Sequence, residues 1–318
     1  MNRTAATALF LACLASPAIP ARAADEAGYT RQEDIIYGRK FGTALTMDVF
    51  RPRGEGKANG AGVVLVVSGG FFSSHEAVNA AFARPLVERG YAVFAVVHGS
   101  QPRYTVPEIV QDVNRAVRFI RHHAGDYGID PGRLGVSGAS AGGHLSLMLG
   151  TAGGPGDPKA KDPVDRESSR VQAVACFFPP TDMLNYGATG HELIRAIDHA
   201  PPFRPAFDYR DLDKATNLWV PVTDPGRLRA ITREISPAYH VSPDDAPTLI
   251  LHGDADTLVP LQQSRLIVDR FKEAGVDAKL VVKPGSGHGW LTMLGDMVAF
   301  ADWFDAHLKP AAAPAPAR

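Results

Sequence analysis

Residues 133–145 read Arg133-Leu134-Gly135-Val136-Ser137-Gly138-Ala139-Ser140-Ala141-Gly142-Gly143-His144-Leu145. The stretch Arg133–Ser137 reads as a strand, and Ser140–Leu149 reads as a helix. Between them stands Gly-x-Ser-x-Gly, with Ser140 on the turn. A serine at a sharp strand-to-helix turn sits in strained backbone, and small neighbours let strand and helix pack closely around it. The helix that follows points the positive end of its dipole at the serine, where it favours developing negative charge. Alone, the pattern could be an ordinary Gly-rich turn. The strand before it and the helix behind it make Ser140 a candidate nucleophile. Ser137 is the nearest rival hydroxyl, but it belongs to the strand and lacks the flanking pattern.

Outward from this stretch, apolar β-branched runs alternate with helical patterns. Strands are expected at Asp34–Tyr37, Ala44–Phe50, Gly62–Ser68, Tyr91–His98, Val171–Phe178, Thr248–His252 and Ala278–Lys283. Val63-Val64-Leu65-Val66-Val67 shows no polar alternation, which suits a strand buried on both faces of a parallel sheet. Pro107–Ala124 places Ile109, Val113, Ala116, Val117 and Ile120 on one helical face. Leu261–Ala274 and Leu291–Leu308 read as helices too. This rhythm implies an α/β fold, a mostly parallel central sheet flanked by helices with right-handed crossovers. The first two strands are joined by a short link that suits an antiparallel pair. Residues 181–245 break the rhythm: several prolines, scattered helical pieces and no clear strand. A stretch that long between two core strands is expected to be an inserted cap.

The chain has 318 residues, 45% hydrophobic and 21% charged, with a formal net charge of −1. Such a balance belongs to a globular protein, and it argues against a nucleic-acid surface or a polybasic membrane patch. Asn2-Arg3, an apolar stretch from Ala5 to Ile19, and Ala21-Arg22-Ala23 read as a signal peptide cleaved after Ala23. That places the protein in the periplasm or outside the cell, without stable membrane insertion. Cys13 fits a lipobox poorly. Cleavage would leave Cys176 as the one cysteine, and its apolar run makes it a buried strand residue rather than a catalytic thiol. Residues 309–318 are Pro/Ala-rich and read as a disordered tail. The sequence carries no metal cluster, phosphate loop or cofactor motif.

Two further loops carry chemistry. The expected strand Thr248–His252 leads into Gly253-Asp254-Ala255-Asp256-Thr257-Leu258-Val259-Pro260, which offers two carboxylates, Asp254 and Asp256. Ala278–Lys283 leads into Gly285-Ser286-Gly287-His288-Gly289-Trp290. A histidine on a glycine-flanked loop beyond a strand end can reach a serine on another strand's turn. Only His288 and His307 follow the candidate acids, and His307 lies in the final helix, where a surface role is expected. Ser140, one of the two aspartates and His288 therefore stand in the chain order of a Ser–acid–His triad. A tetrahedral intermediate also needs preorganised N–H donors. The backbone N–H of Ala141 is one candidate, and those of Gly70 and Phe71, in Ser68-Gly69-Gly70-Phe71-Phe72-Ser73-Ser74-His75, are the others. Phe72, Tyr186, Trp219 and Trp290 are candidates for a pocket wall. Asp112, Arg115, His144 and His252 are read as structural.

These blocks resemble the esterase/lipase branch of the α/β-hydrolases, in the bacterial group related to acetyl and feruloyl esterases. The resemblance runs from about Asp34 to Leu308. It is carried by Gly128-Ile129-Asp130-Pro131 through Gly138–Leu145, by Ser236-Pro237-Ala238-Tyr239, by His252-Gly253 through Val259-Pro260, and by Gly287-His288-Gly289. It implies the α/β-hydrolase fold with an inserted cap, and an enzyme cleaving small or carbohydrate-linked esters. It places the acid on Asp256. Two departures stand out. The oxyanion loop of that family usually begins His-Gly-Gly, where this chain has Ser68. Gly99-Ser100-Gln101-Pro102 replaces a frequent Tyr-Arg-Leu pattern. A peptidase, or a binding module on the same fold, is the alternative; the binding module would be marked by a missing Ser, His or acid. Activity is expected to fall on acidification, because the base must be neutral to accept a proton.

Overall fold

A computed structural model of the chain describes residues 28–196 and 201–308. The expected signal segment, its cleavage after Ala23, Cys13 and the Pro/Ala tail lie outside the described residues. Ten strands are formed: β1 (Tyr29–Lys40), β2 (Thr43–Pro52), β3 (Gly62–Val67), β4 (Ala92–Val97), β5 (Leu134–Ala139), β6 (Ala173–Phe177), β7 (Arg210–Asp213), β8 (Leu218–Pro221), β9 (Thr248–Gly253) and β10 (Ala278–Lys283). Eight make one sheet in the order β1-β2-β4-β3-β5-β6-β9-β10. Every neighbouring pair from β4 to β10 is parallel, and β2 alone runs against the rest. The early strands do form the antiparallel pair that their short link implies.

The longer helices are α1 (Ala80–Glu88), α2 (Val106–His122), α3 (Ala141–Ala152), α4 (Pro225–Glu234), α5 (Gln262–Glu273) and α6 (Met293–Leu308). Five of them cover the sheet on its two faces. On one side, Val64, Val136, Val174 and Ile250 pack with Ile109 and Val117 of α2, Leu145 of α3 and Phe271 of α5. On the other, Val63, Leu65, Val93 and Leu249 pack with Leu86 of α1 and with Phe300 and Phe304 of α6. This explains why β3 is apolar without alternation: all six of its residues are buried. In α2, Glu108 accepts hydrogen bonds from the Thr105 N–H and hydroxyl, each 2.8 Å long, closing the helix start. No helix among the described residues is long and apolar enough to cross a membrane.

Three departures from the sequence reading have local causes. β1 is longer than Asp34–Tyr37, because its register with β2 shifts twice and Asp34 has φ 56°, which breaks the period-2 pattern. Helix α1 escapes a propensity reading because Pro85 stands inside it; its start is nevertheless capped, Asn79 accepting from the Ala81 N–H at 2.9 Å. Residues 181–245 do contain strands. β7 and β8 form a two-stranded hairpin, but Leu212, Leu218, Trp219 and Val220 on it are all exposed, so no inward–outward alternation marks it.

The strand order also locates a crevice. The chain passes from β3 to β4 on one side, then places β5 on the other side of β3. Loops leaving the carboxyl ends of β3 and β5 therefore diverge, and α/β sheets bind ligands at that point. The fold rests on the buried face of α2. Ile120→Ala, at a fully buried position, is expected to lower unfolding free energy by about 2–5 kcal/mol, measured by urea denaturation; a loss under about 1 kcal/mol would contradict the packing described.

Candidate active site

Ser140 follows β5 with φ 55° and ψ −118°, strained backbone for a residue with a side chain. The flanking glycines are required by contact. A Cβ on Gly138 would lie 2.5 Å from the carbonyl carbon and oxygen of Gly142, and one on Gly142 would lie 2.7 Å from the Val66 carbonyl oxygen. Strand, turn and helix thus touch backbone to backbone. Ala141 is the first residue of α3, so its N–H has no partner within the helix and faces the turn.

His288 and Asp256 arrive from β10 and β9. His288 Nε2 lies 2.9 Å from Ser140 Oγ, and its Nδ1 lies 2.7 Å from Asp256 Oδ2. The other carboxylate oxygen, Oδ1, accepts from the N–H groups of Leu258 and Val259, both at 2.9 Å. Asp254 does something else. Its Oδ1 accepts from the Gly285 N–H at 2.6 Å, and the Ala255 N–H donates to the Ser286 carbonyl at 2.9 Å, so the acid and base loops are stitched together. A Cβ on Gly253 would meet the Ser286 carbonyl oxygen at 2.2 Å, which is why the acid loop starts with glycine.

Electrostatics favour an ionised acid. Burial would raise the Asp256 carboxyl, but hydrogen bonds from His252 and His288, the charge His288 can carry and the Val259 amide together hold it well below the usual carboxylate range. His252 is fully buried; its Nε2 lies 2.8 Å from the Val259 carbonyl and 3.4 Å from Asp256 Oδ2, and its Nδ1 lies 2.6 Å from Ser264 Oγ. It acts on the acid, beyond the structural role read from sequence. Phe178 is a second residue that sequence reasoning missed. Its ring stands 4.3 Å from the His288 imidazole at 50°, and it has φ 35°. It directly follows the apolar strand β6, and nothing in the sequence separates it from a core residue.

The loop after β3 forms a tight turn in which Gly69 and Phe72 exchange hydrogen bonds of 3.0 and 2.9 Å. Its base sits against α3, the Ser68 carbonyl lying 3.5 Å from where a Gly142 Cβ would be. Phe71 is buried, edge-on to His144 and to Phe207 of the 181–245 segment, and Phe203 of that segment covers Gly70. The same segment reaches the loop after β9 too, through a 2.7 Å hydrogen bond from the Tyr186 hydroxyl to the Leu258 carbonyl. The remaining pocket candidates separate. Phe72 is 42% exposed beside the turn, and Trp219 is 57% exposed on the β7–β8 hairpin. Trp290 packs on Phe177 and Phe178 and donates to Asp296 at 2.5 Å.

Cys176 is fully buried, and burial pushes its thiol up, away from nucleophilic chemistry. Asp112 pairs with Lys40 at 2.6 Å and Arg115 with Asp162 and Asp165 at 2.7 Å, the bracing roles read for them. Glu33, Asp48 and His75 bring donor atoms together, but Arg31 lies 2.5 Å from Asp48 and 3.1 Å from Glu33. A guanidinium already occupies that charge.

Sheet order, crevice and serine turn define an α/β-hydrolase. Residues 47–271 match the BD-FAE family model, and the chain belongs to that family. It is 28% identical over 252 residues to a probable carboxylic ester hydrolase, LipM, of Mycobacterium tuberculosis, covering 77% of this chain and 52% of LipM. It is 28% identical over 244 residues to esterase LipQ of the same organism, covering 76% of this chain and 53% of LipQ. The chain spans about half the length of these curated relatives. A solved structure titled as a truncated form of a carbohydrate esterase from gut microbiota is 27% identical, with a TM-score of 0.69, covering 88% of this chain and 98% of that one.

Two other histidines near the site are buried and neutral. Burial lowers His98 to about 4 against a hydrogen bond to the Gly99 carbonyl, with Lys40 adding to the fall. Burial likewise lowers His144 to about 4, opposed by the Ile235 carbonyl. The unfolded chain protonates such residues near pH 6.5. Their contribution to stability is therefore complete above about 6.5 and is lost as pH falls through about 4. The denaturation midpoint is expected to drop across that window, with a shallower slope in His98→Gln; equal slopes would show that His98 titrates alike in both states.

Proposed function

We propose that the protein is a serine hydrolase of carboxylic esters, with Ser140 as nucleophile, His288 as base and Asp256 as supporting acid. The observation that carries this reading is the unbroken path of hydrogen bonds from Ser140 Oγ through His288 to Asp256, 2.9 and 2.7 Å long. The neutral imidazole donates from Nδ1 to the carboxylate, which leaves Nε2 free to accept the serine proton. Ser140 Oγ then attacks the ester carbonyl. The N–H of Ala141, with those of Gly70 and Phe71, stabilises the oxyanion. His288 protonates the departing alcohol, and the acyl-enzyme is hydrolysed by water that the same imidazole activates.

The substrates proposed are acyl groups on carbohydrates outside the cytoplasm. The similarity to a carbohydrate esterase supports the sugar. The signal peptide read at residues 1–23, cleaved after Ala23, supports the location. Hydrolysis of 4-nitrophenyl acetate is expected to fall at least about 10³-fold in Ser140→Ala. Acetylated xylan and feruloylated sugars are expected to react as well. Turnover confined to simple aryl esters would remove the carbohydrate reading and leave the esterase.

The depressed Asp256 carboxyl adds a pH expectation. It stays ionised well below the usual carboxylate range, so protonation of Asp256 does not add to the acid limb of the profile. A plot of log kcat/KM against pH is expected to fall with a slope of 1 while the protein remains folded. A slope of 2 would mean that a second group titrates in the mechanism.

A further inference from the structure

We propose that Gln101 is the positioning residue that sets the direction of the oxyanion-binding amide of Phe71, an inference that rests on the hydrolase reading above. Gly70 and Phe71 are the central residues of the turn after β3, with φ 55° and 66°. Positive φ at both, inside the reciprocal Gly69–Phe72 hydrogen bonds, makes it a type I′ turn. The local sequence prefers otherwise. Glycine followed by another residue suits type II′, in which the second central residue returns to negative φ. Phe71 is strained as it stands. Types I′ and II′ differ by a flip of the central peptide, the unit made of the Gly70 carbonyl and the Phe71 N–H.

Gln101 opposes that flip. Its Nε2 donates a short hydrogen bond to the Gly70 carbonyl, and its backbone N–H donates to the Phe71 carbonyl at 3.2 Å. Carbonyl and N–H of one planar trans peptide point in opposite directions. Drawing the Gly70 oxygen toward Gln101 therefore turns the Phe71 N–H the other way. In the flipped turn a carbonyl oxygen would face the developing oxyanion in place of a donor.

The Gln101 side chain is an expensive way to fill this space. It is 2% exposed, and its Oε1 is buried without a hydrogen-bond partner among the described residues. A buried amide with one orphaned end is destabilising where an apolar residue would fit. The N–H donor accounts for its presence. Neighbouring Ser100 serves as a comparison: its Oγ accepts from the Ser73 N–H at 3.1 Å and donates to the Gln101 main-chain carbonyl at 2.8 Å, bracing the same backbone without touching the central peptide or the Gln101 side chain.

The test uses Gln101→Met, which keeps the volume and removes the donor, beside Ser100→Ala, Ser140→Ala and wild type on 4-nitrophenyl acetate. Gln101→Met is expected to lose about 10²-fold in kcat, with KM within about threefold. Its affinity for a trifluoromethyl ketone, whose hemiketal oxygen imitates the oxyanion, is expected to fall in parallel. Ser100→Ala is expected to stay within about twofold of wild type. Undiminished kcat in a folded Gln101→Met, or equal losses in both loop variants, would overturn the inference. If Gln101→Met melts far below wild type, Gln101→Leu carries the same comparison. Absence of Ser140-dependent turnover in the wild type would instead overturn the hydrolase reading, and this inference with it.

Discussion

The backbone contact between the end of β5 and the start of α3 is the constraint on which the rest of the site depends. Gly138 and Gly142 leave no room for a Cβ between them, and Gly142 also lies against the β3 carbonyl of Val66. That closeness forces the chain to reverse within Ala139–Ala141, and Ser140 takes the strain at φ 55°. The strained turn persists because both partners are immobilised. β5 lies between β3 and β6 in the sheet, and the first nine residues of α3, Ala141 to Leu149, are buried. The sheet holds the turn, and the turn projects the hydroxyl.

Asp256 and His288 are placed by close backbone contact as well. The loops leaving β9 and β10 cross so closely that Gly253 meets the Ser286 carbonyl, and they are joined by Asp254 to Gly285 and Ala255 to Ser286. Two carboxylates within three residues divide the work. Asp254 fixes the loops to each other. Asp256, inside them, takes two amides on one oxygen and faces two imidazoles with the other. His252 donates to the Val259 carbonyl, which anchors the segment that presents the amides. The Asp256 carboxylate is therefore held in one orientation by its neighbours.

Much of this was legible in the sequence, and the part that was not has identifiable physical causes. Parallel order, the all-apolar β3, the face of α2 and the candidates Ser140, His288 and an aspartate at 254 or 256 follow from periodicity, glycine spacing and chain order. Choosing Asp256 over Asp254 needed family resemblance, since both stand on one loop and only the crossing of two loops separates them. Phe178 and Gln101 left no local signal, because each acts on a residue distant in sequence; His252 stands only four residues before Asp256, but its apolar strand makes it read as a core residue. The β7–β8 hairpin was hidden because it packs against little, so its side chains do not alternate. Asp34 and Pro85 interrupted otherwise readable elements.

The departure at Ser68 can be understood in the same terms. The sequence lacks a histidine where related oxyanion loops usually begin with one, yet an imidazole stands beside this loop. His98, at the end of β4, places Nε2 2.8 Å from Ser68 Oγ and Nδ1 2.9 Å from the Gly99 carbonyl. A carbonyl only accepts, so Nδ1 carries the proton and Nε2 accepts from the serine hydroxyl. Burial keeps the ring neutral, which makes this arrangement the stable one near neutral pH. Ser73 ties the two strands further, its Oγ donating to Val67 at 2.5 Å and accepting from the His98 N–H at 3.2 Å. The loop after β3 is thus fastened by the strand beside it. The first residue of the loop is held by a side chain 30 residues away in sequence and in contact in space.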